Sequence, residues 1–322
     1  MIYVLVKITK MNKLLKYIFT ILVLFLHTSS AFSQSPDSNE ESGFMKSIKM
    51  SREQSYVTAL GGFGNIEPLL FEGAIVPYYM LHFNKTRWGI DLSPKIIIRM
   101  YNERSSPIRT PSYMPKATFY YNTSSRKKKS LAPLFLFFSW GHHSNGQSDG
   151  FYMPDGTTIN TKSGDFSTNM IEIGSLVAKT EHVKPYNLLL HKLSFEYHYK
   201  QNEELAGKYG NFRINSEVNS ILYPSKFPGA GKFFKKQIRS VSAQLRMQWI
   251  AGNMLNTSAC DWKRMTTSFR VSVHPVALDE FTFFAQYYNG QDYYNISFEK
   301  TLYVLRFGIT ADLSGKIRSN DK

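Results

Sequence analysis

His142 and Ser144 stand two residues apart at the end of the run Leu134 to Ser144, and Asn169 follows one loop later. In an extended strand, residues i and i+2 share a face and lean within reach of each other. A histidine beside a serine on one face supplies a general base and an activated hydroxyl nucleophile. Asn169 opens the pattern Asn169, Ile171, Ile173, Val177, whose phase puts it on the matching face of the next antiparallel strand, at the same end. A carboxamide there accepts the imidazole N–H and holds its tautomer, as the orienting member of a triad does.

The strand carrying the pair has an unusual composition. Its even positions are Leu134, Leu136, Phe138, Trp140, His142 and Ser144, and its odd ones are Phe135, Phe137, Ser139, Gly141 and His143. Both faces are rather apolar, and the even face is the unbroken one. On a membrane protein that face is the lipid side, and a nucleophile that ends it implies a lipid substrate. His143, on the opposite face, reads as an interior polar residue and not as a second base.

Such a pair needs long, regular strands to hold it, and the sequence supplies them. Trp88, Ile90, Leu92, Ile96, Ile98 and Met100 alternate with Arg87, Asp91, Ser93, Lys95 and Arg99. The same period of two recurs in 192–200, 241–249 and 303–311, the signal for strands with one apolar face. A soluble sandwich turns that face inward, whereas an outer-membrane barrel turns it to lipid. Segments approaching the roughly 9–11 residues of a tilted transmembrane strand, with Trp88, Tyr101, Trp140, Tyr199 and Trp249 near their ends, favour the barrel.

The predicted strands are 54–63, 69–83, 87–101, 116–123, 131–144, 168–180, 188–200, 237–250, 265–274, 280–289 and 302–312. Single-chain bacterial barrels have an even number. A twelfth is therefore placed in 209–223, where Phe212, Ile214 and Val218 are suggestive but irregular. Pro94 interrupts the third strand and marks an expected bulge. The fold class is thus all-β, an antiparallel transmembrane β-barrel of twelve strands over 53–313.

Composition narrows the alternatives further. One cysteine, Cys260, in 322 residues excludes an intramolecular disulfide framework and a cysteine-rich zinc site. A mean hydropathy of −0.29 without a second long apolar run excludes a helical multi-span protein. Aromatics at 15% exclude a disordered chain. Lys7, Lys10, Lys13 and Lys16 precede the apolar run Tyr17 to Leu26 and the small residues before Gln34, so 1–33 reads as an export signal. Met11 is an alternative start. Removing four lysines takes the formal charge from +15 to +11. Residues 34–52 read as a polar N-terminal linker and 314–322 as a tail. The basic runs Arg126 to Lys129 and Lys232 to Lys236 are read as solvated turn charge, with no nucleic-acid partner.

The segment His142-His143-Ser144-Asn145-Gly146-Gln147-Ser148-Asp149 resembles the His-x-Ser-Asn-Gly-x-Ser-Asp motif of the outer-membrane phospholipase A family. Ser105-Ser106-Pro107-Ile108-Arg109 is similar to that family's Ser-Ser-Pro-Phe-Arg segment, and Ser167-Thr168-Asn169 to the segment with its third catalytic residue. The resemblance covers 55–180 well, 265–313 passably and 200–237 poorly. It implies a twelve-stranded barrel in the bacterial outer membrane that hydrolyses acyl esters of glycerophospholipids, with calcium as cofactor and a homodimer as the active form. Ser144 is then the nucleophile, His142 base and acid, Asn169 the orienter and the Gly146 amide part of the oxyanion site. Ser105 of one subunit meets the Gln147 carbonyl and a loop oxygen of the other, and counting back from Asn169 makes that oxygen Asp165's. Gln147 stands where the family usually has Arg, and the 145–168 loop is longer than the family's. Two other readings keep the barrel: a lipid A deacylase, which about eight strands would suit better, and a non-catalytic channel or structural barrel.

Overall fold

Alternation that sorts apolar side chains onto one face and polar ones onto the other leaves a sheet with two demands, an apolar surround and a polar interior; closing it on itself meets both. In the computed structural model, residues 47–64, 67–82, 86–105, 108–124, 133–179, 186–224, 229, 231–254, 257–278 and 281–311 are described. They form one antiparallel sheet whose first and last strands pair, a closed barrel of twelve staves. The stave β1 has two pieces, Ser55–Thr58 and Phe63–Gly64, and β2 has Leu69–Ile75 and Tyr79–His82. Then come β3 (Trp88–Tyr101), β4 (Ser112–Asn122), β5 (Leu134–Ser144), β6 (Ser167–Lys179) and β7 (Tyr186–Tyr199). The circuit ends with β8 (Phe212–Leu222), β9 (Ile238–Ala251), β10 (Met265–Pro275), β11 (Phe281–Gln291) and β12 (Thr301–Ala311).

The irregular segment around 209–223 is a full stave, paired along its length with both neighbours. β4 begins at Ser112, earlier than its pattern announces, and the expected bulge at Pro94 is absent. Pro94 instead faces Pro115 across an unbroken register between β3 and β4, so two residues without an N–H share one rung. The one marked break in β1 falls between its two pieces, where Leu60 and Gly62 take positive φ. A Cβ on Gly62 would lie 2.6 Å from the Leu305 carbonyl oxygen, which requires glycine there.

Outward residues such as Leu136, Phe138, Ile173, Phe195, Phe269, Phe283 and Phe307 are exposed, while Asp91, Arg99, Thr118, Glu172, Arg213 and Arg306 are buried inside. Most of the buried charges inside are paired, as low-dielectric burial favours. Arg99 binds Asp292 through both terminal nitrogens at 2.7 and 2.8 Å and Glu72 through Nε at 2.8 Å. Arg52 grips Asp91, and Arg246 grips Glu217.

Apolar clusters pack inside the barrel towards each of its ends. Phe135 and Phe137, the inward phenylalanines of β5, join Tyr120, Leu176 and Leu190 in a cluster that Ile48 enters. Ile48 sits in a helical turn over 47–51, so the last part of the expected linker packs inside the barrel. At the other end the loops after β5, β7 and β11 contribute Phe151, Phe166, Leu205, Tyr209, Ile296 and Phe298 to a second apolar cluster. A cavity of about 910 Å³ lies within the barrel, with Glu53, Glu217, Arg246 and Arg306 among its lining residues. Among the described residues no helix is long and apolar enough to cross a membrane. The export signal at 1–33, the linker up to 46, the basic run 126–129 and the tail at 314–322 lie outside the described residues.

Candidate active site

β5 and β6 run antiparallel in a register that sets His142 opposite Asn169 and Ser144 opposite Ser167. The outward phase of Leu134 to Trp140 continues into His142 and Ser144, which are half-buried on the barrel's outer surface. Asn169 Oδ1 lies 3.0 Å from His142 Nδ1. The Asn169 amide is oriented from its other side, because its Nδ2 donates to the Lys200 carbonyl at 3.3 Å. Lys200 takes a positive φ at the end of β7, the turn that brings this carbonyl over Asn169. With Nδ2 committed, Oδ1 faces the imidazole as an acceptor, so Nδ1 carries the proton and Nε2 keeps a free lone pair.

Among the described residues no hydrogen bond joins the Ser144 hydroxyl to His142. The two side chains share one face two residues apart, and such bonds often tighten only with substrate bound. On the β4 side, Tyr113 is the partner of Ser144, and the ladder resumes at Lys116 opposite Gly141. Pro115, which has no N–H, lies in the gap.

The turn after Ser144 is pinned by a residue whose role the sequence alone did not reveal. Asn145 is fully buried. Its Nδ2 donates to the Gly164 carbonyl at 2.8 Å, and its Oδ1 accepts from Phe166 N at 3.1 Å and Gln147 N at 3.2 Å. Its backbone N–H donates to the Phe166 carbonyl at 3.2 Å. One side chain thus ties both ends of the loop after β5 together and fixes the start of Gly146, which has φ +67. A Cβ on Gly146 would approach the Tyr113 ring to 3.3 Å. An Asn following a Ser is too common for this role to be read locally, since its partners lie across the whole loop.

Trp140, one step before His142 on the same face, is 55% exposed and donates its indole N–H to the Tyr199 hydroxyl at 2.8 Å. Tyr199 is the direct partner of Asn169. The bridge therefore crosses β6 immediately below the His–Asn pair. Behind the pair the wall is solid. His143 is buried, its Nε2 3.2 Å from Ser112 Oγ, and its ring packs edge-on to Phe166 at 4.9 Å.

Of the residues expected to hold a cation, Ser105 is exposed after β3 and Gln147 is half-buried in the pinned turn. Asp165 Oδ2 accepts from Asn202 Nδ2 at 2.7 Å, which leaves its second oxygen. The three offer a hydroxyl, a carbonyl and a carboxylate, all oxygen donors of the kind calcium takes. Among the described residues no group of three or more His, Cys, Asp and Glu is arranged to hold a metal.

No family model matches the chain, and no curated protein matches it. Among solved structures it is similar to outer membrane phospholipase A from Escherichia coli, with a TM-score of 0.47 and 14% identity over 88% of this chain and 88% of that chain.

Proposed function

We propose that this protein is an outer-membrane phospholipase A that hydrolyses acyl ester bonds of glycerophospholipids from the lipid-facing surface of its barrel. The observation that carries this reading is the hydrogen bond from His142 to Asn169 on the outer face, with Ser144 on the same face two residues on. A hydrolase of water-soluble esters has no use for a nucleophile at the end of an apolar stripe.

The chemistry follows from the tautomer. Ser144 Oγ attacks the ester carbonyl carbon while its proton passes to His142 Nε2, and the imidazolium is held by Asn169 Oδ1. The tetrahedral oxyanion is met by the Gly146 N–H, whose turn Asn145 holds. His142 then returns the proton to the leaving glycerol oxygen. Water, deprotonated by the same nitrogen, attacks the acyl-serine and releases the fatty acid. Calcium held by Ser105 of one subunit with the Gln147 carbonyl and Asp165 of its homodimer partner would add positive charge near the developing oxyanion. The apolar loop cluster at the end nearest His142 supports a hydrolase over an open channel, and twelve staves remove the size argument for a lipid A deacylase.

Fatty-acid release from mixed detergent–phospholipid micelles, measured with calcium and with a chelator, tests this reading. Release that requires calcium and disappears in Ser144→Ala is the expected result. Release undiminished in Ser144→Ala would sink the mechanism. Release from lipid A but not from phospholipid would move the assignment to the deacylase.

A further inference from the structure

The connection from β8 to β9 lies at the barrel end away from His142, where the strand order also puts both termini of the barrel. Within it, Lys232–Gln237 forms a short helix of sequence Lys-Phe-Phe-Lys-Lys-Gln. Phe233 is 78% exposed and Phe234 42%. Lys232 and Lys236 are exposed and Lys235 is half-buried. Residues 223–239 contain no Asp or Glu.

Two neighbouring phenylalanines held open to water cost free energy, whereas at the boundary between hydrocarbon and headgroup they are in their preferred medium. The position fits that boundary. Helix and stave are continuous, and outward Val241, Leu245 and Met247 of β9 lead from the apolar band up to Arg239 and the helix. Lysines flanking buried rings send their ammonium groups toward phosphates while their stems stay in apolar surroundings. Solvated charge alone accounts for the lysines at the helix C-terminus but leaves the phenylalanines unexplained.

We infer that this helix is a docking surface for anionic phospholipid in the leaflet opposite the active site, with Phe233 and Phe234 in the headgroup boundary and Lys232, Lys235 and Lys236 on phosphodiester groups. The inference rests on the membrane placement proposed above. It gives the barrel a fixed depth and a lipid preference on the side that does no chemistry.

The test reconstitutes the full chain carrying Trp88→Phe, Trp249→Phe and Trp262→Phe, either with Trp140 as the one tryptophan or with Trp140→Phe and Phe233→Trp, in vesicles with brominated phosphatidylglycerol or brominated phosphatidylcholine, and compares the quenching of each. A phosphatidylglycerol preference of at least about fivefold is expected, since one lysine near an anionic surface gives a factor of that order and three act here. It should fall to near one when Lys232→Gln, Lys235→Gln and Lys236→Gln are combined, and shrink at high salt. Fatty-acid release in neutral micelles should not change in that variant. Equal quenching by both lipids would overturn the inference. So would no quenching at position 233 while native Trp140 is quenched, which would mark this surface as facing water or another protein and leave the membrane placement standing. Quenching at neither position would sink the placement and the inference together.

Discussion

His142 and His143 are consecutive residues of one strand, yet they inhabit different solvents. His142 turns outward, half-buried, and its ring is held by an amide that is itself held by the Lys200 carbonyl. His143 turns inward, is buried against Phe166, and shares a hydrogen bond with Ser112, which also accepts from Asn295 Nδ2 at 2.9 Å. Both are satisfied, but only one has a ring nitrogen left over on an accessible surface beside a hydroxyl. A half-turn of the pleat, and nothing in the residue type, separates a candidate base from a piece of packing.

Substitution on the outer face should remove turnover and spare the fold. Ser144→Ala and His142→Ala are each expected to lower kcat at least about 10³-fold in the micelle assay, because members of such a unit fail together. Thermal unfolding should barely move, as both side chains lie on the surface. Asn169→Ala should cost on the order of 10²-fold, and Asn169→Asp, which keeps an acceptor, should recover much of that. Equal activity in the two Asn169 variants would break the proposed orienting role. Asn145→Ala blurs the comparison deliberately. It strips three hydrogen bonds from a buried site, with an expected loss of about 2–3 kcal/mol in denaturant unfolding and a lower kcat as the Gly146 turn loosens. His143→Leu is the smallest in its effect on chemistry. It should cost about 1–3 kcal/mol of stability through the lost inner hydrogen bond, with activity per folded molecule unchanged. A large kcat loss there, with stability intact, would give the inner histidine a role that this geometry denies it.

The pairing of His142 with Asn169 was legible because strand phase is local: two periods of two, read on adjacent strands, fix which faces meet. Twelve staves were nearly as legible. β8 was obscured because Ser216 and Ser220 interrupt its outward face, while inward Arg213, Asn215, Glu217 and Asn219 read as polar in any setting. Its ladder is secured by hydrogen bonds to both neighbours, which ask nothing of side-chain type. The start of β4 was masked by Pro115, a residue that reads as a strand breaker until its partner Pro94 is seen. Least legible were long-range ties. The apolar inner face of β5 makes sense only once Ile48 arrives from the N-terminal side, and a single helical turn leaves no periodicity to find. Asn145 likewise depends on Gly164 and Phe166, which nothing near it in sequence announces.

The barrel closes where Ser55 meets Ala311, so its seam joins the two ends of the described sheet. The stave on one side of that seam, β1, also has the lightest ladder, on its other edge. β1 meets β2 at Tyr56↔Ala74, Val57↔Gly73 and the isolated bridge Leu60↔Phe71, whereas β5 and β6 stay in register from Leu134↔Val177 to Ser144↔Ser167. No closed interior exists until the last strand has been made, so closure is the final event in folding and the most non-local one. Its reversal is the first step in opening. In native-state hydrogen exchange the amides of β1 should trade their protons soonest and those of β5 and β6 last, leaving the wall that bears His142 and Asn169 intact while the seam breathes.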